Sequence, residues 1–152
     1  AFQAYQESRR IAHGTGQKMA ALSQLLADEH GRRTIVFTHD NDTAYRISKR
    51  FLVPCISHQT DVKERRSILD AFDDGTLPVI VTSRVLNEGV DMPSAEVAIV
   101  LSGTGTVREH VQRLGRILRP QAGKQAVLYE VVAADTAEIN TSRRRRRHDA
   151  YR

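Results

Sequence analysis

The chain holds one cysteine in 152 residues, Cys55, so an internal disulfide and a disulfide scaffold are excluded. Long apolar runs are missing as well. The longest, such as Leu77 to Val81 and Val97 to Leu101, fall far short of the ~20 residues that a membrane-spanning helix needs. No signal-peptide pattern opens the sequence, because charged and polar residues interrupt every early apolar stretch. Internal repeats are absent. His39, His58 and Cys55 do not stand at metal-ligand spacing, so ordinary surface or loop roles are expected for them. A broad excess of one charge is also missing. Lys plus Arg is 23 against 18 Asp plus Glu, a net +5, and five of the positives form the single run Arg143 to Arg147. Without that run the charges cancel, which argues against a strong global field for nucleic acid and leaves room for local patches. What remains is a soluble, intracellular, single-domain chain. Its length suits one domain and is enough to bury a core without staples. Beginning with Ala1 rather than Met, it reads as a piece of something longer.

The chain alternates helical and strand-like stretches. Residues 1–15 show no clean period and are read as a lead-in or linker. Met19, Leu22, Leu25 and Leu26 recur at helical spacing between Gln17 and Glu29, and Gly31 ends that helix. Thr34 to Thr38 is short, β-branched and apolar, as a buried strand should be. Asn41 or Asp42 is the expected cap of a helix whose Ala44, Ile47 and Phe51 share a face. A weaker strand follows at Val53 to Ser57. Asp61 and Glu64 stand at capping-box spacing, ahead of a helix that buries Val62, Leu69 and Phe72 and stops near Gly75. Pro78 to Thr82, Val97 to Ser102 and Gln125 to Val132 are three more strands. Thr106 to about Leu118 is a helix stopped by Pro120, and residues 134–152 form a polar terminal helix carrying the Arg run. Strands apolar on both faces and separated by helices predict an α/β fold with a mostly parallel sheet covered on both sides. In such sheets function gathers at the carboxyl ends of the strands. The stretches to search are therefore Thr38 to Asp42, Thr82 to Asp91 and Ser102 to Thr106.

The segment from Thr106 to Pro120 carries the most chemistry. On a helix, at ~100° per residue, Val107, Val111, Leu114 and Leu118 fall within about 60° of one another and form a core face. Arg108, Gln112, Arg116 and Arg119 cluster within about 80° on the other side. Gly115 lies between the two faces, where a glycine costs about 1 kcal/mol relative to alanine. Close approach of a ligand or of another backbone would justify it. A fork of guanidinium groups beside a small residue suits a phosphate; a solvated basic face gives the same pattern. Arg outnumbers Lys 19 to 4, which fits phosphate recognition and fits a GC-rich genome equally well.

The letters of this segment add to the pattern. Gln112-Arg113-Leu114-Gly115-Arg116-Ile117-Leu118-Arg119 resembles motif VI of superfamily 2 helicases and translocases. Thr34 to Thr38 followed by His39 resembles motif IV. Arg65, Leu69, Phe72 and Gly75 match the spacing of the helix that follows it in that family. Val79 to Asp91 resembles the strand leading into motif V. Four matches in the right order over residues 34–119 form a specific signature. The Glu88-Gly89-Val90-Asp91-Met92-Pro93 form and the motif VI form look most like the XPB branch of repair and transcription helicases, in archaeal or bacterial versions; restriction-enzyme motor subunits are close by the same motifs. The resemblance implies a RecA-like three-layer domain over residues 16–152, the second lobe of a two-lobed motor. It implies that Arg116 and Arg119 act as the catalytic arginines that reach the γ-phosphate of ATP. Gln112, Gly89 and Asp91 match nucleotide-binding positions, and Thr38, Thr82 and Ser83 match positions that hold the backbone of a tracked nucleic-acid strand. Hydroxyls and N–H groups at strand ends suit such sequence-independent contact, and they also serve plain turn chemistry. For Arg65, which falls on the apolar side of its helix, an internal ion pair or carbonyl contact is expected.

A phosphate-binding Gly-x4-Gly-Lys-Ser/Thr loop is absent. Gly14-Thr15-Gly16-Gln17-Lys18 has the wrong spacing, Met19 follows where Ser or Thr is needed, and the linker reading puts no strand before it. Gly103-Thr104-Gly105-Thr106 follows a strand and lacks the lysine. No apolar strand ends in an Asp-Glu pair to hold Mg²⁺. The expectation is that this chain alone binds neither ATP nor Mg²⁺ and hydrolyses nothing at a useful rate, whereas the two-lobed parent uses both. The implied partners are DNA, the first helicase lobe of the same parent, and a nuclease or a transcription or repair factor; no membrane is implied. A cytoplasmic, nucleoid-associated location follows if the source is prokaryotic. A non-catalytic α/β module that binds nucleic acid or protein, or a small nucleotide-binding fold, would share much of this pattern.

Overall fold

A computed structural model of the chain describes residues 5–12, 15–38, 40–83, 94–101 and 126–133. They form six strands and three helices, in the order β1 (Tyr5–Ala12), α1 (Thr15–Asp28), β2 (Thr34–Phe37), α2 (Asn41–Phe51), β3 (Cys55–Ile56), α3 (Val62–Asp73), β4 (Val79–Thr82), β5 (Val97–Leu101) and β6 (Ala126–Ala133). The strands make one sheet in the order β1-β6-β5-β2-β4-β3, and every pairing is parallel. This is the α/β, parallel-sheet class expected from the apolar strands.

Alternation along the strands divides the core between the two faces. Ile35, Phe37, Ile56, Ile80, Ala98, Val100 and Leu128 point to one face, where Phe72, Ile68 and Leu69 of α3 pack. Val36, Val81, Val97, Ile99 and Val131 point to the other, covered by Met19, Leu22 and Leu25 of α1 and by Ala44 and Ile47 of α2. Helices on both faces leave β2, β4 and β5 buried throughout their cores, which is why those strands show no polar alternation. Near the amino-terminal end of the sheet, Arg32 bonds Glu29 at 2.9 Å and reaches Glu96 at 3.6 Å. The Tyr129 hydroxyl donates to the same Glu29 carboxylate. Burial and that acceptor together push the Tyr129 phenol up to about 12.

Helix ends follow local chemistry. Gly31 (φ +89°) and Gly75 (φ +87°) terminate α1 and α3 in the left-handed region, as the sequence predicts and as a residue without Cβ permits. Asp61 caps α3, accepting from Glu64 N at 2.8 Å. Three expectations are corrected. The cap of α2 is Asp40, which accepts from Thr43 N at 2.7 Å; Asn41 and Asp42 lie inside the first turn, where a carboxylate still favours the helix dipole. Val62, expected in the core, is 81% exposed, because it sits at the first helical position beside the cap and ahead of the face that meets the sheet. Residues 5–12 are not linker but an eight-residue edge strand, paired from Tyr5↔Ala126 to Ala12↔Ala133. An edge strand is held by its backbone ladder, so its letters need show no apolar period. The same strand precedes Gly14 and Thr15, so the preceding-strand objection to a phosphate loop there falls; the spacing and Met19 still argue against it. The helices expected at Thr106–Leu118 and 134–152 lie outside the described residues.

Candidate functional site

Three neighbouring strands, β3, β4 and β2, end at the same edge, and two of the three stretches singled out in the sequence, those beginning at Thr38 and Thr82, leave from there; the third, from Ser102, lies outside the described residues. Thr38 follows β2, Ser57 follows β3, and Thr82 and Ser83 close β4. The chain then crosses from the end of β4 to β5 on the far side of β2. This reversal of strand order is where open α/β sheets bind ligands.

Backbone bonds lock the three ends together. Thr38 N donates to Thr82 O at 2.9 Å, and Ser83 N donates to Ile56 O at 3.3 Å. All three candidate nucleic-acid residues in this region are buried: Thr38 and Thr82 completely, Ser83 at 3% exposure. The Thr38 hydroxyl donates to Asp40 O at 2.9 Å, in the turn that starts α2. The Thr82 hydroxyl donates to Ser83 O at 2.9 Å. A hydroxyl has one proton to give, so both threonines spend theirs inside the fold and shape the turns. Ser83's hydroxyl has no hydrogen bond among the described residues. The structure thus brings Thr38, Thr82 and Ser83 to one place and gives them different chemistry.

A second layer of contacts ties the rim together. Tyr45 of α2 bonds Ser57 Oγ at 2.7 Å and donates to Gln59 Oε1 at 3.0 Å. Asn41 Nδ2 lies 2.6 Å from His58 Nδ1. Ser57 N donates to Thr60 Oγ1 at 2.9 Å, and Gln59 N to Ser57 Oγ at 3.2 Å. The turn after β3 is therefore fixed against the first turns of α2. Sequence reasoning missed this network. Asn41 and Tyr45 stand one helical turn apart, and that spacing was the available signal that one polar face of α2 meets the next loop.

The other candidate residues, Gly89, Asp91, Gln112, Arg116 and Arg119, lie outside the described residues. Among those described, no group of three or more His, Cys, Asp or Glu is placed to hold a metal ion, and no helix is long and apolar enough to cross a membrane. Among the described residues, half-buried Arg65 makes neither the internal ion pair nor the carbonyl contact that were the alternatives expected of it, and its Nε has no hydrogen-bond partner there. Cys55 is half-buried on the edge strand β3. Burial pushes its thiol up to about 11, the opposite of what a reactive thiolate needs.

Comparison with known proteins agrees with this topology. The helicase conserved C-terminal domain family matches residues 17–121. The chain belongs to that family. It is 48% identical over 143 residues, 94% of its length, to the DNA 3'-5' translocase XPB2 of Sulfurisphaera tokodaii, of which it covers 32%. It is 36% identical over 93% of its length to the DNA 3'-5' helicase XPB of Mycobacterium tuberculosis, covering 26% of that protein. The chain thus spans a third or less of these curated relatives. Among solved structures, the C-terminal domain of the DEAD-box protein Dbp5 superposes with a TM-score of 0.82, across 94% of this chain and 84% of that one, at 20% identity. That likeness establishes the fold: a RecA-like helicase C-terminal lobe.

Proposed function

We propose that this helicase C-terminal domain serves as the second motor lobe of an ATP-dependent DNA translocase or helicase of the XPB type. The 48% identity to a DNA translocase, spread over 94% of the chain, carries the reading. On it, the first lobe lies outside these 152 residues and supplies the phosphate loop and the acidic pair. ATP and Mg²⁺ would be held between the lobes, where the metal would supply charge neutralisation for the phosphates. Arg116 and Arg119 stabilise charge that develops on the transferred phosphoryl group, a role worth about 10³–10⁵ in rate. Gln112, Gly89 and Asp91 contact the nucleotide and relay its state to the nucleic-acid side.

The bonding at the strand ends supports a division of labour there. Thr38 and Thr82, with their protons directed inward, position the turns and their N–H groups. Ser83, whose hydroxyl makes no hydrogen bond among the described residues, meets the phosphodiester backbone directly. The partners are DNA, the first lobe and a nuclease or transcription or repair factor; the working location is inside the cell, with the DNA.

The test is ATP turnover by the longer parent, with and without single-stranded DNA. DNA-stimulated turnover should fall by about 10³-fold or more in Arg116→Ala, with the circular dichroism unchanged. Near-normal turnover in that variant would remove the arginine-finger role. Lack of DNA stimulation in the unmodified protein would remove the DNA-motor reading itself.

A further inference from the structure

The α1/α2 layer carries a surface that the proposed motor chemistry does not use. Between these two helices runs an open groove of about 290 Å³, lined by Met19, Arg46, Lys49 and Arg50. Its walls are almost wholly apolar, built from the Met19 side chain and the aliphatic stems of the three cations. Arg46, Lys49 and Arg50 are all exposed, and none has an ion-pair partner among the described residues. Arg50 instead lies over the Phe51 ring, 5.7 Å from its centre. Just past the same helix end stands Leu52, 90% exposed and held at φ 54°. That left-handed cap position suits glycine or asparagine. A leucine there gains nothing from burial and sits at a backbone angle that strains a side chain with a Cβ.

We propose that this groove docks an acidic segment of another protein, which sets one bulky apolar side chain over Met19 and its carboxylates against Arg46, Lys49 and Arg50. Charge complementarity selects the acidic partner, and the volume, at the low end for a binding pocket, fits one or two side chains. A phosphodiester strand is the weaker occupant. It would use the cations and leave the apolar floor uncovered, and the groove lining offers no aromatic ring for a base to stack on.

Fluorescence anisotropy of a labelled peptide decides the matter. The probe is a short run of Asp and Glu bearing two leucines, and its control has both leucines replaced by serine. The leucine-bearing probe should bind with a dissociation constant below about 1 mM and at least about tenfold more tightly than the serine control. Arg46→Glu combined with Arg50→Glu should weaken it by about tenfold or more. Circular dichroism and thermal unfolding of that double variant should stay unchanged, which separates lost contact from lost fold. An unlabelled single-stranded oligonucleotide should fail to displace the probe. Equal binding of the serine control, displacement by the oligonucleotide, or absence of binding at about 1 mM would each overturn the proposal.

Discussion

The two edges of the sheet are built on opposite principles. At one end, β3 is two residues long, and its stability comes from what surrounds it. Ile56 is fully buried with Phe72 and Ile80, and the following turn is held by Tyr45, Ser57 and Thr60. At the other end, β1 is eight residues long, with Glu7, Arg9 and Arg10 in its middle, and its pairing with β6 runs the full length. The short edge is secured by side chains and borders the candidate site. The long edge pairs with β6 along its whole length and lies far from that site in strand order. Charged residues on a long edge also discourage pairing with other chains. Side-chain support leaves a mark in the sequence; ladder support does not.

Four changes break or sharpen that contrast. Phe72→Ala removes the largest fully buried side chain among the described residues, behind the β3 edge. It should cost about 3–5 kcal/mol, read as a drop in the urea midpoint, with β3 and β4 amides losing exchange protection first. The pair Ser8→Pro and Arg9→Pro attacks the other edge. N–H groups of consecutive strand residues point to opposite sides, so one of the two prolines must delete a ladder bond. A loss of about 1–3 kcal/mol is expected, with hydrogen exchange rising in β1 and β6 while β3 and β4 keep their protection. Uniform loss across the sheet would show that the edges are not independent.

Asp40→Ala probes the junction between β2 and α2. It takes the acceptor from Thr43 N at 2.7 Å and from Thr43 Oγ1 at 3.0 Å, and should cost about 1 kcal/mol in the same denaturation experiment. The smallest effect concerns pH. The folded Cys55 thiol titrates near 11 rather than at its usual 9.0, so above pH 9 the unfolded chain has released a proton that the folded chain keeps. Stability should therefore decline as pH rises from about 9 to about 11, and Cys55→Ala should remove part of that decline. Tyr129, raised from 10.0 to about 12, adds a loss of the same sign at higher pH in both proteins. Identical alkaline curves for the two would mean that the short edge opens readily enough to hydrate the thiol.

Several features of the fold and site were legible because they depend on neighbours within one or two turns. Gly31 and Gly75 stop helices, Asp61 caps one, and Ala44 and Ile47 face inward, all from local spacing. The apolar runs at β2, β4 and β5 gave the parallel, doubly covered sheet. Ordered motifs from Thr34 to Arg119 gave the helicase lobe, as the family match over residues 17–121 shows. The convergence of Thr38, Thr82 and Ser83 followed from their strand-end positions.

Only the tertiary structure decided the rest. Tyr5–Ala12 becomes a strand because β6, far along the chain, offers it an open ladder, and no local period announces that. The Thr38 N–H finds its acceptor on Thr82, and its hydroxyl turns to the Asp40 carbonyl because the strand ends meet there. The sequence named those hydroxyls as nucleic-acid contacts without being able to say where their protons point. The α1/α2 groove likewise joins Met19 to Arg46 and Arg50 across two helices. Residue types and local periods determine which elements form; the partners of an unpaired backbone or a single hydroxyl proton are fixed only when distant segments come together.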